Sequence, residues 1–323
     1  MKEIIKEYSP LIQQFSVDEY FVDFSNMEQF SSDPLQTAFT IKDRIKNELG
    51  FTVNVGVSSN KLLAKMASEL EKPDKVHTLF PEEIATKMWP LNVEELFMVG
   101  RATSTKLYSR GIKTIGELAH YDLNLLRPFL KSHGVLIWNY ANGFDSSPVR
   151  PDHSILIKGM GNSTTMPFDV EDRKTAHLVL LSLVETVSTR LRQAKCCARL
   201  IAISFRTHDF FSYSHQIKIY NPTDCTSEIR EITCELFDEL WQGQALRHMG
   251  VRVTELCRND FVQTSLFAKD YEKLRKVDLA LDSIRLKYGS DAIIRSAFLH
   301  SGLKALTGGV IQDEDYPMLT SLL

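Results

Sequence analysis

The sequence predicts an α+β protein of more than one domain, and three observations predict it. Residues 1–90 alternate strand-like and helix-like segments, residues 91–150 hold only short helical pieces punctuated by Gly100, Gly111, Gly116, Gly134 and Gly143, and residues 151–258 read β-α-β-β-α-β. A chain of 323 residues is too long for one small core, because domains usually run ~100–200 residues. With 43% hydrophobic and 24% charged residues, the composition excludes disordered, collagenous and coiled-coil rod classes. The formal net charge is −3, so any basic surface must be local.

Taken in order, Phe15–Phe24 is β-branched and aromatic, and the spacing of Phe15, Val17 and Phe21 predicts a strand. A helical pattern over 33–49 ends at Gly50, and Phe51–Val57 follows as a strand with Val53, Val55 and Val57 on one face. Ser58-Ser-Asn60 offers N-cap side chains to a helix carrying Leu62, Leu63, Met66, Ala67 and Leu70, which Pro73 stops before a short strand at Val76–Phe80. The third zone gives a long helix over about 171–194, a strand pair at about 198–207 and 213–220, a helix over about 226–241 and a strand at Gly250–Leu256. That order is the ferredoxin-like split βαβ pattern. Past Arg258 comes a helix around 274–288 and a loosely patterned end. Trp89, Trp138 and Trp241 are expected in cores, and the scattered His133, His153, His208, His215 and His248 show no metal-ligand spacing.

Cys196, Cys197, Cys225, Cys234 and Cys257 form no C-x-x-C pair, and an odd count with two adjacent members does not read as a disulfide framework. The opening Met1-Lys-Glu-Ile-Ile-Lys-Glu is too charged for a signal peptide, and no apolar run approaches ~18 residues. A soluble cytoplasmic protein is expected.

Four stretches could carry chemistry. In Ser16-Val-Asp18-Glu19-Tyr-Phe-Val-Asp23, two adjacent carboxylates within an apolar strand are costly to bury unless paired or bound to a cation. Hard divalent ions take one or two carboxylates plus substrate phosphates, as phosphoryl-transfer sites do. An edge strand with solvated acids is the alternative. Second, a strand followed by Ser58-Ser-Asn60 and a helix presents free backbone N–H groups to an anion, with Lys61 and Lys65 opposite the leucines and Lys72 at the helix break. A plain amphipathic helix with a solvated lysine face fits equally. Third, Met98-Val-Gly100-Arg101 through Gly111-Ile-Lys113-Thr-Ile-Gly116 fits a helix-hairpin-helix, with Arg101, Lys106, Arg110 and Lys113 unopposed by acids over 100–113. Such a hairpin grips a DNA phosphate without reading sequence; a generic helical bundle is the alternative. Fourth, Arg190, Arg192, Lys195, Arg199, Arg206 and Lys218 cluster in sequence opposite the acids Asp224, Glu228, Glu231, Glu235, Asp238 and Glu239. Either Phe205, Phe210, Phe211 and Tyr213 interleave a basic DNA-facing sheet, or the two charge sets pair with one another. Last, Gln263-Thr-Ser-Leu266-Phe267 suits docking of a short peptide into an apolar pocket on a partner.

Together these pieces resemble the Y-family translesion DNA polymerases, the UmuC and DinB (ImpB/MucB/SamB) class. Ser16-Val-Asp-Glu-Tyr-Phe-Val-Asp23 is similar to the family's Ser-Ile-Asp-Glu-Ala-x-Leu-Asp palm strand. Val55-Gly-Val-Ser-Ser-Asn-Lys-Leu-Leu-Ala-Lys-Met-Ala-Ser68 with Lys72-Pro73 is similar to its Val-Gly-Ile-[Ser/Ala]-x-Asn-Lys-x-x-Ala-Lys-x-Ala motif. The resemblance implies a partial palm at 1–90, a helix-hairpin-helix thumb at 91–150, a little finger at 151–258 and a clamp-binding tail at 259–323. It implies two-metal Mg²⁺ chemistry, with Asp18 and Glu19 as the catalytic, metal-binding carboxylates and Lys72 on the incoming dNTP. Lys61, Lys65, Gly100, Arg101, Lys106, Lys113 and Arg206 would meet primer-template DNA, damaged DNA included, and Gln263, Leu266 and Phe267 the β-subunit sliding clamp.

The sequence departs from the family in two places. The family's first carboxylate strand, Asp-x-Asp-x-Phe, and its fingers domain normally precede residue 1. The expectation is therefore a fragment, or half of a split polymerase, with weak or no activity alone. Met98 stands where the hairpin's first glycine is usual. Two rival readings are a non-catalytic DNA-binding and clamp-docking accessory protein, and a metal-dependent nuclease using Asp18, Glu19 and Asp23.

Overall fold

The structure, a computed structural model, describes residues 1–27, 33–151, 157–259, 271–299 and 301–306. It divides into two compact units, Met1–Ile155 and Leu156–Leu323. Among the described residues no helix is long and apolar enough to cross a membrane.

The first unit runs α1 (Lys2–Lys6), β1 (Ile12–Gln14), β2 (Tyr20–Val22), α2 (Pro34–Leu49), β3 (Val55–Val57), α3 (Lys61–Glu69), β4 (Val76–Thr78), α4 (Arg101–Tyr108), α5 (Ile115–Ala119) and α6 (Leu123–Ala141). The strands form two separate two-stranded sheets, β1 antiparallel to β2 and β3 parallel to β4. Local chemistry sets the helix ends. Asp33 caps α2 by accepting from the Gln36 N–H, Pro34 opens it, and Gly50 closes it at a φ of 76°, a left-handed value glycine adopts without steric cost. Asn60 caps α3 in the same way, accepting from the Leu63 N–H at 2.8 Å. At Gly56, a Cβ would lie 1.9 Å from the Ala64 carbonyl oxygen, so only glycine lets α3 pack this closely on β3.

One strand expectation fails. Phe15–Phe24 is not continuous: β1 and β2 are the arms of a hairpin, paired Ile12 with Val22 and Gln14 with Tyr20, and residues 16–19 are its turn. The β1–β2 pairing extends to Phe15, whose N–H donates to the Glu19 carbonyl at 2.8 Å. Val17, placed on a strand face by its spacing, is 62% exposed at the tip. The main core of this unit runs without a break from Leu62, Leu63 and Met66 on α3 through Leu79 and Val93 to Leu107, Leu118 and Ile137. One hydrophobic cluster therefore has members on both sides of residue 90, where a boundary was expected.

The second unit runs β5 (Gly159–Val170), α7 (Arg173–Gln193), β6 (Cys196–Thr207), β7 (Ser212–Thr223), α8 (Thr226–Leu240), β8 (Leu246–Arg258) and α9 (Tyr271–Tyr288). Its antiparallel sheet has the order β5-β8-β6-β7. The βαββαβ element order is the expected one, but the ferredoxin-like assignment needs correcting. That arrangement centres its first and third strands, whereas here those strands, β5 and β7, are the edges. Both crossovers still skip one strand, so element order alone could not separate the two. Core residues Leu180, Val184, Val187, Ile201, Ile203, Phe205, Ile229 and Phe237 fill the layer between the sheet and α7 with α8.

α9 is fastened to this layer by buried ions. Arg192 donates to Asp282 at 2.5 and 3.0 Å and lies 3.4 Å from Asp278. Glu185 accepts from Arg285 at 2.6 Å and from Arg295, and Asp224 accepts from Arg275 at 2.6 Å. Burial works against the charge on Arg192, but Asp282, Asp278 and Asp224 outweigh it and hold the guanidinium charged.

Candidate active site

The two adjacent carboxylates sit at the tip of the β1–β2 hairpin. Hydrogen bonding within the turn shapes it: the Ser16 hydroxyl donates to Asp18 Oδ1 at 2.7 Å, and the Ser16 N–H reaches the Glu19 carbonyl at 3.3 Å. Asp18 is exposed and Glu19 half-buried. An aromatic series holds the hairpin in place, with Phe15 edge-on to Phe21 at 5.6 Å and to Phe97 at 5.7 Å, and Phe97 stacked on Tyr140 at 6.2 Å. Asp23 is not brought to this tip. It follows β2, where its carboxylate accepts from the Ser25 N–H at 2.8 Å, so the three-carboxylate nuclease arrangement is absent.

The lysine face of α3 is not simply solvated; it turns onto the hairpin. Lys65 Nζ pairs with Glu19 Oε1 at 2.5 Å and with Glu69 Oε1 at 3.0 Å. Burial would lower the Lys65 pKa, but these two carboxylates outweigh it and raise it, so the ammonium stays charged at neutral pH. Lys61 donates to Gln13 Oε1 at 3.2 Å and lies 5.6 Å from the Phe21 ring centroid. Burial lowers its pKa, Asp145 opposes that shift, and Arg150 adds to it. Lys72 Nζ pairs with Glu69 Oε2 at 2.6 Å. Glu69 thus ties the lysine at the helix break to the hairpin tip. Sequence reasoning passed over it, although its position four residues after Lys65 and three before Lys72 is the spacing of helical ion pairs.

Asp18 and Glu19 offer hard oxygen donors side by side at an open turn. That suits a divalent cation which takes one or two carboxylates and completes its shell with substrate phosphates and water. Among the described residues no group of three or more His, Cys, Asp or Glu side chains could hold a metal ion. The donor set fits a cation shared with substrate rather than a closed protein cage.

Two further surfaces carry the expected basic residues. In the first unit, Arg101, Lys106, Arg110 and Lys113 are all exposed around α4. Gly100 caps α4 with no side chain of its own, a Cβ added there would meet nothing within 4 Å, and Gly100 and Arg101 are exposed, while the Thr103 N–H already donates to the Gly100 carbonyl at 2.9 Å. Met98 has a φ of 71°, the left-handed region that glycine enters freely and a methionine enters at a cost of ~1–2 kcal/mol. The element before this turn is a single 3₁₀ turn at Val93–Glu95 rather than an α-helix.

In the second unit, Arg206 shares the sheet face away from the helices with Arg252 and Lys218, among small residues including Gly161, Ser163, Ser204 and Gly250. Arg206 Nε donates to Ser212 Oγ at 3.2 Å, and Lys218 pairs with Glu255 at 2.6 Å. Phe205 points the other way, 2% exposed and stacked on Tyr213 at 5.3 Å. The alternating pleat, which puts neighbours 205 and 206 on opposite faces, is why it cannot interleave the basic side. Arg192 likewise belongs to the buried network. Gln263, Leu266 and Phe267 lie outside the described residues.

Comparison with known proteins agrees with this arrangement. Residues 1–69 match the impB/mucB/samB family, and residues 157–266 match the impB/mucB/samB family C-terminal domain. The protein is similar to DNA polymerase IV of Clostridium acetobutylicum, 45% identical over 300 residues that span 93% of this chain and 75% of that one. It is also similar to DNA polymerase IV 2 of Bacillus subtilis, 36% identical over 303 residues, 92% of this chain and 73% of that one. Among solved structures, a Y-family DNA polymerase chimera containing Dbh has a similar fold, with a TM-score of 0.67 and 21% identity over 80% of this chain and 74% of that chain. With both matched segments in order and the paired carboxylates at a hairpin tip, the chain belongs to the impB/mucB/samB family, the Y-family DNA polymerases.

Proposed function

We propose that the protein is a translesion DNA polymerase, which transfers nucleotides from dNTPs to a primer opposite damaged template bases, with Mg²⁺ at Asp18 and Glu19. The observation that carries this reading is the hairpin tip: two adjacent carboxylates, one held by Lys65, with Lys72 joined to the same cluster through Glu69. Bound Mg²⁺ would lower the pKa of the primer 3′-hydroxyl and neutralise the triphosphate. The chain's own residues then do the positioning. Asp18 and Glu19 present oxygen ligands from a fixed turn, Lys65 holds one Glu19 oxygen, and Lys72, half-exposed, meets the triphosphate.

The surroundings suit DNA read by backbone rather than by base. The exposed Gly100 and Arg101, with Lys106 and Lys113, would hold one phosphate run as a helix-hairpin-helix thumb does. Arg206 and its sheet face would meet another as a little finger. Lys61 and Lys65, engaged with Gln13 and Glu19, organise the hairpin rather than meeting DNA first.

Primer extension with Mg²⁺ and dNTPs on intact and lesion-bearing templates tests the reading. Weak incorporation that Asp18→Ala abolishes while DNA binding persists is the expected result. Salt-sensitive DNA binding with no incorporation on any template would favour the accessory-protein alternative. Clamp docking rests on Gln263, Leu266 and Phe267 alone. Leu266→Ala with Phe267→Ala is expected to remove binding to the sliding clamp and leave DNA affinity unchanged, as measured by surface plasmon resonance.

A further inference from the structure

Lys72 is already engaged in this structure. Its ammonium lies 2.6 Å from Glu69 Oε2, while the other oxygen of the same carboxylate takes Lys65 at 3.0 Å. Lys65 in turn holds Glu19 at 2.5 Å. Four side chains of alternating sign therefore run from the hairpin tip to the end of the helix region, and among the described residues Glu69 is the carboxylate paired with Lys72. The Lys72 and Glu69 side chains are 54% and 40% exposed. An ion pair this solvated is weak and exchangeable, and a triphosphate carries several negative charges where Glu69 carries one.

We infer that Glu69 is an internal stand-in for the nucleotide's phosphates. It holds Lys72 when no nucleotide is present, gives the ammonium up as the triphosphate arrives, and so sets nucleotide affinity. The inference rests on the reading of Lys72 as a triphosphate contact. Glu69 acts through Lys72 and is a positioning residue, not a catalytic one. Because its second oxygen keeps Lys65, the exchange at Lys72 leaves the hold on Glu19 in place. A charge-neutral residue at 69 would present Lys72 unpaired from the start, so that nucleotide need not compete with the carboxylate.

The experiment is titration of dATP onto the full chain bound to a primer-template whose primer ends in a 3′-dideoxynucleotide, which permits binding without chemistry. Glu69→Gln keeps the side-chain volume and removes the charge; it is expected to tighten dATP binding about two- to five-fold, the scale of a partly solvated ion pair. Binding of dAMP, which lacks the outer phosphates, is expected to shift by less than half of that. Lys72→Met is expected to weaken dATP binding, and adding Glu69→Gln to Lys72→Met to produce no further change. Glu71→Gln serves as the control for overall charge, since Glu71 pairs instead with Lys75 at 3.3 Å.

If Lys72→Met weakens dATP binding but Glu69→Gln leaves it equal or weaker, the stand-in role is wrong and Lys72 keeps its contact. Equal tightening by Glu71→Gln would make the effect one of net charge, and the stand-in role would again be wrong. If Lys72→Met changes nothing, the triphosphate assignment of Lys72 itself fails, and this inference goes with it.

Discussion

Both units organise themselves around carboxylates bridging two basic groups, yet they use the same chemistry for opposite ends. In the second unit Glu185 is 3% exposed between Arg285 and Arg295. In the first, Glu69 between Lys65 and Lys72 is 40% exposed, and Glu19 is exposed to a similar degree, 37%. Burial decides the difference. Ions out of water demand every partner they have, because leaving one unpaired is costly. Half-solvated ions can trade a protein partner for a ligand at little cost. Ionic chemistry capable of function therefore lies at the hairpin, while the denser network of the second unit, richer in arginine, is a fastening.

The largest effect expected from that contrast is at Glu185. Glu185→Ala strands Arg285, itself 5% exposed, in the interior, and is expected to destabilise the second unit by about 3–5 kcal/mol. Urea unfolding followed by Trp241 fluorescence, with Trp89 and Trp138 changed to phenylalanine, reports on that unit alone. Replacing Glu185 and the buried Arg285 together, Glu185→Leu with Arg285→Met, is expected to recover most of the loss, because the remaining Arg295 is 32% exposed and keeps Asp278 at 3.3 Å. A Glu185→Ala loss under about 1 kcal/mol, the range of exposed pairs, would erase the distinction between the units.

A second effect tests how firmly the exchangeable ions are mounted. Gly56 lets α3, which carries Lys61, Lys65 and Glu69, lie directly on β3, and an added Cβ would meet backbone atoms of Ala64 and Ser68 rather than a side chain that could rotate away. Gly56→Ala is expected to cost about 1–3 kcal/mol in the first unit, the usual penalty of overpacking. If thermal melts show no loss, the scaffold under the site is softer than its close approach indicates.

The sequence made the capped elements legible and left the contacts between distant elements hidden. Gly50 and Asn60 mark helix ends that the structure reproduces, because capping is decided by neighbours in sequence. The hairpin turn escaped, since Phe15, Val17 and Phe21 keep an apolar rhythm across it, and the reversal shows in the pairing of Ile12 with Val22 and of Phe15 with Glu19. Asp18 and Glu19 were still singled out, because adjacent acids among aromatics stand out whatever the backbone does. Arg192 was grouped with a surface that it does not join. Its partners lie some ninety residues away on α9, and no local pattern signals such a pair. Sheet order was illegible for the same reason: each strand's neighbours are set by packing across the unit, not by the order of elements.

The smallest effect is the one on which the comparison finally turns. Glu69→Gln removes a carboxylate that, like Glu185, contacts two basic side chains, so a count of ion pairs would rank the two losses together. Solvent screening argues otherwise. With Glu69, Lys72 and Glu19 all more than a third exposed, water replaces much of what the carboxylate supplied, and the expected cost is below about 1 kcal/mol. The two lysines lower the Glu69 pKa against the effect of burial, so its contribution is present above the unfolded carboxylate pKa and fades as pH falls through the lower folded value. At neutral pH the melting temperature of Glu69→Gln is therefore expected close to that of the parent, and the small difference to vanish in acid. A loss approaching that of Glu185→Ala would mean that the hairpin ions hold the unit together as the buried ones do, and a carboxylate so bound could not yield its lysine to a nucleotide.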